Sequence, residues 1–183
     1  MAEFLFEGDV MRNRYEIIND VVVIIIKSKR FGMQIAYADV SDLEKLNELD
    51  VTWSVRKRSE NAHCYAFTNI RVDGKRTSLS MHRFLTDCPD GYVVDHINGN
   101  GLNNIKNNLR VVTQAQNMQN RKSANSNSTT GIRGVTYHKG TNKYIAEVRL
   151  KGKRVFHKYF ATIEEAETAV KLARKQYLEY TIN

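Results

Sequence analysis

The stretch from Tyr92 to Lys122 reads YVVDHINGNGLNNIKNNLRVVTQAQNMQNRK. It opens as a strand, Tyr92-Val93-Val94, and runs directly into Asp95-His96. A polar loop follows with Asn at 98, 100, 103, 104, 107 and 108. Leu109 to Val112 reads as a second short strand, and Thr113 as the N-cap of a polar helix holding Gln114, Gln116, Asn117, Gln119 and Asn120. The unit is β-loop-β-α, with a carboxylate and an imidazole at the end of its first strand. Hard divalent metals take oxygen ligands, and Mg2+ is held by one or two protein groups plus substrate phosphates. Asp95 and the amide oxygen of Asn117 are the two candidate donors. His96 follows Asp95 on the strand, so it points to the other side. That placement suits a base beside a metal, and neutral imidazole accepts a proton at cellular pH.

At Asp95-His96, Asn108 and Asn117, followed by Met118-Gln119-Asn120, the sequence resembles the HNH nuclease family, also called the ββα-metal finger. It looks closest to phage homing endonucleases in which the final His is replaced by Asn. The resemblance spans roughly Ser80 to Lys122 and implies metal-dependent cleavage of DNA. It implies four site residues: Asp95 and Asn117 on the metal, His96 activating water, and Asn108 pinning the loop that orients His96. Mg2+ or another divalent cation such as Mn2+ is the expected cofactor. No structural zinc is expected, because Cys64 and Cys88 form no pair at metal spacing.

The rest of the chain fits a DNA enzyme. An apolar content of 42% supports real cores. The longest apolar run, Val21 to Ile26, suits a buried strand, and none approaches membrane-spanning length. An acidic, polar N-terminus without a secretory signal, and two unpaired Cys, fit a reducing cytoplasm, and the resemblance implies that of a bacterial host carrying a phage or mobile element. Residues 123–183 hold 11 Lys and Arg against 5 Asp and Glu, whereas residues 1–80 hold 12 of each. A basic last third attracts polyanions, although charge alone also fits a solvated surface.

Residues 1–79 read as a β-rich region supporting the nuclease site. Strands are expected at Tyr15–Ile18, Val21–Ile26, 33–38, 52–56, 65–72 and 76–81. Ser41 should cap a short helix over 42–49, with Leu43, Leu46 and Leu49 on one face. Trp53 reads as a core anchor. Asp73-Gly74 is a hairpin turn. The basic residues Arg56, Lys57, Arg58, Arg71, Lys75 and Arg76 fit either a ribbon entering a DNA groove or plain solubility. A short helix over 80–86 carries His82, either a buried hydrogen-bonded histidine or a group supporting catalysis.

SANSNSTT at 123–130 reads as an interdomain linker, with Arg121 and Lys122 before it suited to phosphates. From 131 to 183 the pattern is three antiparallel strands (133–138, 143–150, 153–160) and a helix capped by Thr162 and Glu165. Ala166, Ala169, Val170, Ala173 and Tyr177 form its apolar face. By alternation Arg149 and Glu147 face away from the helix, and so do Arg154, Phe156 and Lys158. This segment resembles the apetala/ethylene-response type of DNA-binding domain, through Ile132-Arg133-Gly134-Val135, Lys143 to Arg149, and Lys153 to Phe156. The resemblance implies major-groove contacts from Arg133, Glu147, Arg149, Arg154 and Phe156, with Lys158 beside them. Thr136 and His138 depart from the usual Arg, so the plant recognition sequence does not transfer.

The expected fold class is α+β: a β-rich region (1–79), a ββα-metal HNH finger (80–122), a linker (123–130), and a three-stranded antiparallel sheet packed on one helix (131–183). The expected function is a site-specific homing-type DNA endonuclease acting on double-stranded DNA as a monomer or homodimer, with no membrane partner. A DNA-binding regulator with an inactive finger is the alternative.

Overall fold

The structure, a computed structural model, describes residues 11–57, 63–120 and 124–180. Arg58, Arg121, Lys122 and Ser123 lie outside the described residues. The fold is mixed α+β, built from small antiparallel sheets and short helices. It divides into two compact units, Met1–Gln114 and Ala115–Asn183. The division falls inside the expected finger rather than at 123–130. Within the second unit, Arg133 donates to the carbonyls of Gln119 at 3.0 Å and Met118 at 3.1 Å. The Gln119 side-chain oxygen accepts from the Tyr180 N–H at 3.4 Å. Long-range bonds therefore attach this segment to the C-terminal body.

In the first unit, β1 (Tyr15–Ile18), β2 (Val21–Ser28) and β3 (Gly32–Asp39) form one antiparallel sheet in that order. Val22, Ile24 and Ile26 alternate into the core, as a half-buried β-branched strand requires. A 3-10 turn, Val40–Asp42, then leads into α1 (Leu43–Asn47). Ser41 is not its cap: it lies inside the turn, and its hydroxyl accepts from Lys106 Nζ at 2.8 Å. Leu46 is buried, with Leu43 and Leu49 packed partly against the core.

A second sheet holds β4 (Ser54–Arg56), β5 (Tyr65–Val72) and β6 (Lys75–Ser80). Its hairpin turn has positive φ at both Asp73 (49°) and Gly74 (75°), the geometry that matches strand twist in a two-residue loop. Next come α2 (Met81–Leu85) and the hairpin β7 (Val93–His96) with β8 (Leu109–Val112), then α3 (Gln114–Asn117). Met81, Leu85 and Leu102 share one core with Val22, Ile24, Trp53 and Ala66. The asparagine loop also docks on the edge of β3. Tyr37 N–H donates to Leu102 O at 2.9 Å, and Asn104 N–H to Tyr37 O at 2.8 Å.

In the second unit, β9 (Val135–His138), β10 (Lys143–Leu150) and β11 (Lys153–Phe160) form a sheet with β10 central. It packs on α4 (Ile163–Tyr177), whose first turn carries the expected Thr162/Glu165 capping box. Ala166, Val170 and Ala173 bury against Val135, Ala146 and Val148. Tyr177, expected on this face, is exposed.

The outer set of β11 differs from simple alternation. The register shifts between Val148 and Arg149: Phe156 opposes Val148, Arg154 opposes Arg149, and Val155 is the extra residue. One inserted residue reverses the facing of every residue beyond it. Phe156 therefore packs toward the helix-side core, and Lys158, whose ammonium lies 5.8 Å from the Phe156 ring, shares that side. The open face instead carries Glu147, Arg149, Arg154, His157 and Tyr159, the last two with rings 5.3 Å apart.

Candidate active site

Asp95 and His96 are the last two residues of β7, and both are buried. Successive strand residues point to opposite faces, so each meets its own partner. Asp95 opposes Arg110 across the hairpin. Arg110 donates from Nε (2.8 Å) and Nη2 (2.6 Å) to the single oxygen Oδ2. Such charge-assisted bonds fix a carboxylate firmly.

His96 sits in an aromatic and amide cage. Its ring centroid is 5.7 Å from Tyr65 and 5.0 Å from His82, and Tyr65 and His82 are 5.6 Å apart. Asn104, fully buried, donates Nδ2 to Leu102 O at 3.1 Å and to Met81 Sδ at 3.3 Å. That turns its Oδ1 toward His96 Nε2 at 3.3 Å. An amide oxygen only accepts, so Nε2 carries the proton and Nδ1 holds the lone pair. Burial lowers the His96 pKa below the ordinary imidazole value, opposed by the Asn104 hydrogen bond and the Asp95 charge. Burial also pushes His82 down to about 3, with the charges of His96, Arg83 and Arg56 adding to it. Its buried Nδ1 has no hydrogen-bond partner among the described residues, in contrast to the hydrogen-bonded histidine expected.

Asn108 ties the loop together: its Oδ1 accepts from Asn98 N–H at 2.9 Å, and its Nδ2 donates to Asn103 O at 2.7 Å. Lys106 N–H donates to Asp39 Oδ2 at 2.6 Å, and Lys106 Nζ pairs with Asp42 at 3.0 Å. The loop is thus anchored to the first sheet. Gly101 is required by close approach, since a Cβ there would lie 2.5 Å from Cys64 O and 2.6 Å from the Tyr65 ring.

Asp95, His96 and Asn108 belong to the first unit, and Asn117 closes α3 in the second. Arg110, Asn104 and Tyr65 escaped the sequence reading. Only Arg110 left a signal, an opposite charge facing Asp95 once the hairpin register is drawn. On the open sheet face of the second unit, Glu147 bonds Arg149 Nε at 2.5 Å and pairs with Arg154 Nε at 2.6 Å. The Arg149 hydrogen bond is the main reason its carboxyl titrates below the usual range. Arg133 is engaged with the Met118 and Gln119 carbonyls.

Residues 83–119 match the family model of the HNH endonuclease. A 66-residue stretch is 38% identical to Protein 3.8 of Escherichia phage T7, covering 36% of this chain and 54% of that protein. The chain therefore spans about half the length of that curated relative. No solved structure matches the chain. HNH nucleases generally use a divalent metal, and no helix among the described residues is long and apolar enough to cross a membrane. Over residues 83–119, where the Asp95-His96 strand and its asparagine loop lie, this chain carries an HNH endonuclease domain.

Proposed function

We propose that the chain is a site-specific, homing-type DNA endonuclease in which His96 is the general base. The observation that carries this reading is the separate fixing of two adjacent groups. Asp95 is gripped by Arg110, and His96 is locked by Asn104 into the tautomer with its lone pair on Nδ1. His96 Nδ1 takes a proton from the attacking water as the oxygen bonds to phosphorus. The bond to the 3′ oxygen breaks, leaving 5′-phosphate and 3′-hydroxyl ends. Asn108 keeps the loop closed around the imidazole.

The Asp95 carboxylate is a hard oxygen donor at a strand end, which fits Mg2+ or Mn2+ better than a soft metal. Asn117 enters as the second oxygen donor on the sequence resemblance alone. A bound cation would supply stabilisation of the charge on the phosphate and the departing oxygen. We assign duplex positioning to the second unit, as an apetala/ethylene-response-type sheet. Arg149 and Arg154, aligned by Glu147, are the candidate base-reading forks, and Arg133 holds the segment before them. Such an enzyme works in the cytoplasm of a phage-infected or element-bearing host.

The test is plasmid cleavage with Mg2+, with EDTA, and with His96→Ala. Metal-dependent nicking that vanishes in His96→Ala is the expected result. A DNA-binding regulator is the second reading, favoured by the Arg110–Asp95 ion pair, which occupies the proposed metal ligand. It predicts tight duplex binding with intact plasmid under every metal.

A further inference from the structure

One hydrogen bond leaves a histidine ring partly free, because the torsion that sets the ring plane is broad. Among the described residues, the His96 ring is bonded only at Nε2, to Asn104 at 3.3 Å. That bond chooses which edge faces Asn104 and leaves the plane able to turn about it. A hydrogen bond weakens steeply as its donor swings off line. A ring free to turn would therefore lose its chosen tautomer along with its aim.

Two other rings close off that turn. Tyr65 lies 5.7 Å from the His96 centroid at 62°, and His82 lies 5.0 Å from it at 82°. Tyr65 and His82 meet each other at 5.6 Å and 64°, so the three contacts form a closed triangle. Edge-to-face contact is a preferred aromatic geometry, and each such contact favours the clamped plane by roughly two- to tenfold. The two rings come from different elements, Tyr65 from β5 and His82 from α2, and each has its own seat. A Cβ at Gly101 would lie 2.6 Å from the Tyr65 ring, so the bare glycine of the asparagine loop makes room for that ring. His82 follows Met81, whose Sδ accepts from Asn104 Nδ2 at 3.3 Å. One turn of α2 thus touches both the anchor and the imidazole that the anchor holds.

A second histidine beside a base is useful only if it stays uncharged. Burial first, and then the charges of His96, Arg83 and Arg56, hold His82 at about 3. It presents a neutral ring to His96 near neutral pH and does not compete for the proton.

We propose that Tyr65 and His82 are positioning residues, a two-ring clamp that fixes the plane of the His96 imidazole while Asn104 fixes its edge. The catalytic consequence rests on the endonuclease reading, in which His96 is the base; the clamp itself does not.

The full chain is measured in two ways, neither of which needs a recognition sequence. Long-range proton–nitrogen correlation NMR in EDTA, in mildly alkaline buffer, reports the His96 tautomer, with the signal assigned by its loss in His96→Ala. Hydrolysis of bis(p-nitrophenyl) phosphate with Mg2+ reports the reaction on a diester that carries no bases. Wild type should show one tautomer, protonated at Nε2. Tyr65→Leu and His82→Leu fill the space without a ring. Each should give a mixed tautomer and lower kcat by about two- to tenfold with KM unchanged. His82→Phe keeps a neutral ring and should restore the single tautomer. Phe84→Ala is the control for damage to α2, since Phe84 packs on Trp53 at 6.3 Å, and it should leave the His96 signal as it is.

A single tautomer in both Leu variants overturns the clamp. An equal change in Phe84→Ala also overturns it, because the effect would then be helix damage. A mixed signal in a folded His82→Phe overturns it as well, even where a Leu variant fails to fold. Wild type inert toward the diester, with the Leu variants mixed, counts against the endonuclease reading and keeps the clamp. Wild-type kcat in both Leu variants removes the clamp and keeps the endonuclease.

Discussion

Arg110 and Asp95 face each other across the β7–β8 hairpin, and two guanidinium bonds end on one carboxylate oxygen. The pair is nearly enclosed, with side-chain exposures of 21% and 8%. Removing one partner of a buried pair costs about 3–5 kcal/mol at full burial, and less here because Arg110 is partly solvated. Arg110→Met should lower the melting temperature in EDTA. If Asp95 holds the metal, Mg2+ should then raise the melting temperature of Arg110→Met more than that of wild type. Differential scanning fluorimetry with and without Mg2+ reads both effects, and equal metal shifts would remove Asp95 from the metal shell.

Asn104 touches no substrate atom in the proposed reaction, yet it sets which imidazole nitrogen is basic. His96→Ala should reduce kcat by about 10²–10⁴-fold, the range of general-base catalysis. Asn104→Ala should lower kcat by a smaller factor with KM unchanged, because it frees the tautomer without removing the base. Steady-state nicking assays separate the two constants. A change in KM alone would make Asn104 a purely structural residue.

His82 is held neutral down to a pKa of about 3, against an ordinary imidazole near 6.5. Below about 6.5 the unfolded chain binds a proton there and the folded chain does not, so stability falls as pH drops from about 6.5 toward 3. Above about 6.5 both states are neutral at this group and it contributes no slope. His82→Phe should flatten the acid limb, leaving the part due to His96. Chemical denaturation at pH 7 and pH 5 measures the difference, and an unchanged limb would contradict the burial of an uncharged ring.

The register shift in β11 gives opposite expectations for two aromatic residues. Phe156 packs on the helix-side core, so Phe156→Ala should destabilise the protein by about 1–2 kcal/mol, below the 3–5 of a fully buried Phe. Tyr159 is 47% exposed on the open face, so Tyr159→Ala should leave stability within about 0.5 kcal/mol. It should weaken duplex binding. Melting curves and gel shifts on the two variants decide the assignment, and the reverse pattern would restore simple alternation.

What the sequence made legible is local. Asp95-His96 at a strand end, the Thr162/Glu165 capping box and the Asp73-Gly74 turn each depend on residues a few positions apart. The bonds of Asn108 to Asn98 and Asn103 likewise stay within ten residues. The missed features need register or distance. Arg110 becomes a partner of Asp95 only when the hairpin is aligned, and Tyr65 reaches His96 from another sheet. Phe156 was turned the wrong way because a single extra residue, Val155, leaves no mark in composition. The bonds of Arg133 to carbonyls 14 and 15 residues before it also leave no local mark in the sequence.

The exchange of backbone bonds between Tyr37 and the Leu102–Asn104 segment has a practical consequence. With Met81, Leu85 and Leu102 sharing their interior with Val22 and Trp53, no cut near residue 80 would release the hairpin with a core of its own. Transplanting the hairpin and its loop onto another reader would strip one wall from the imidazole. Any chimera built from this protein must carry the amino-terminal strands along as part of the hairpin's own foundation.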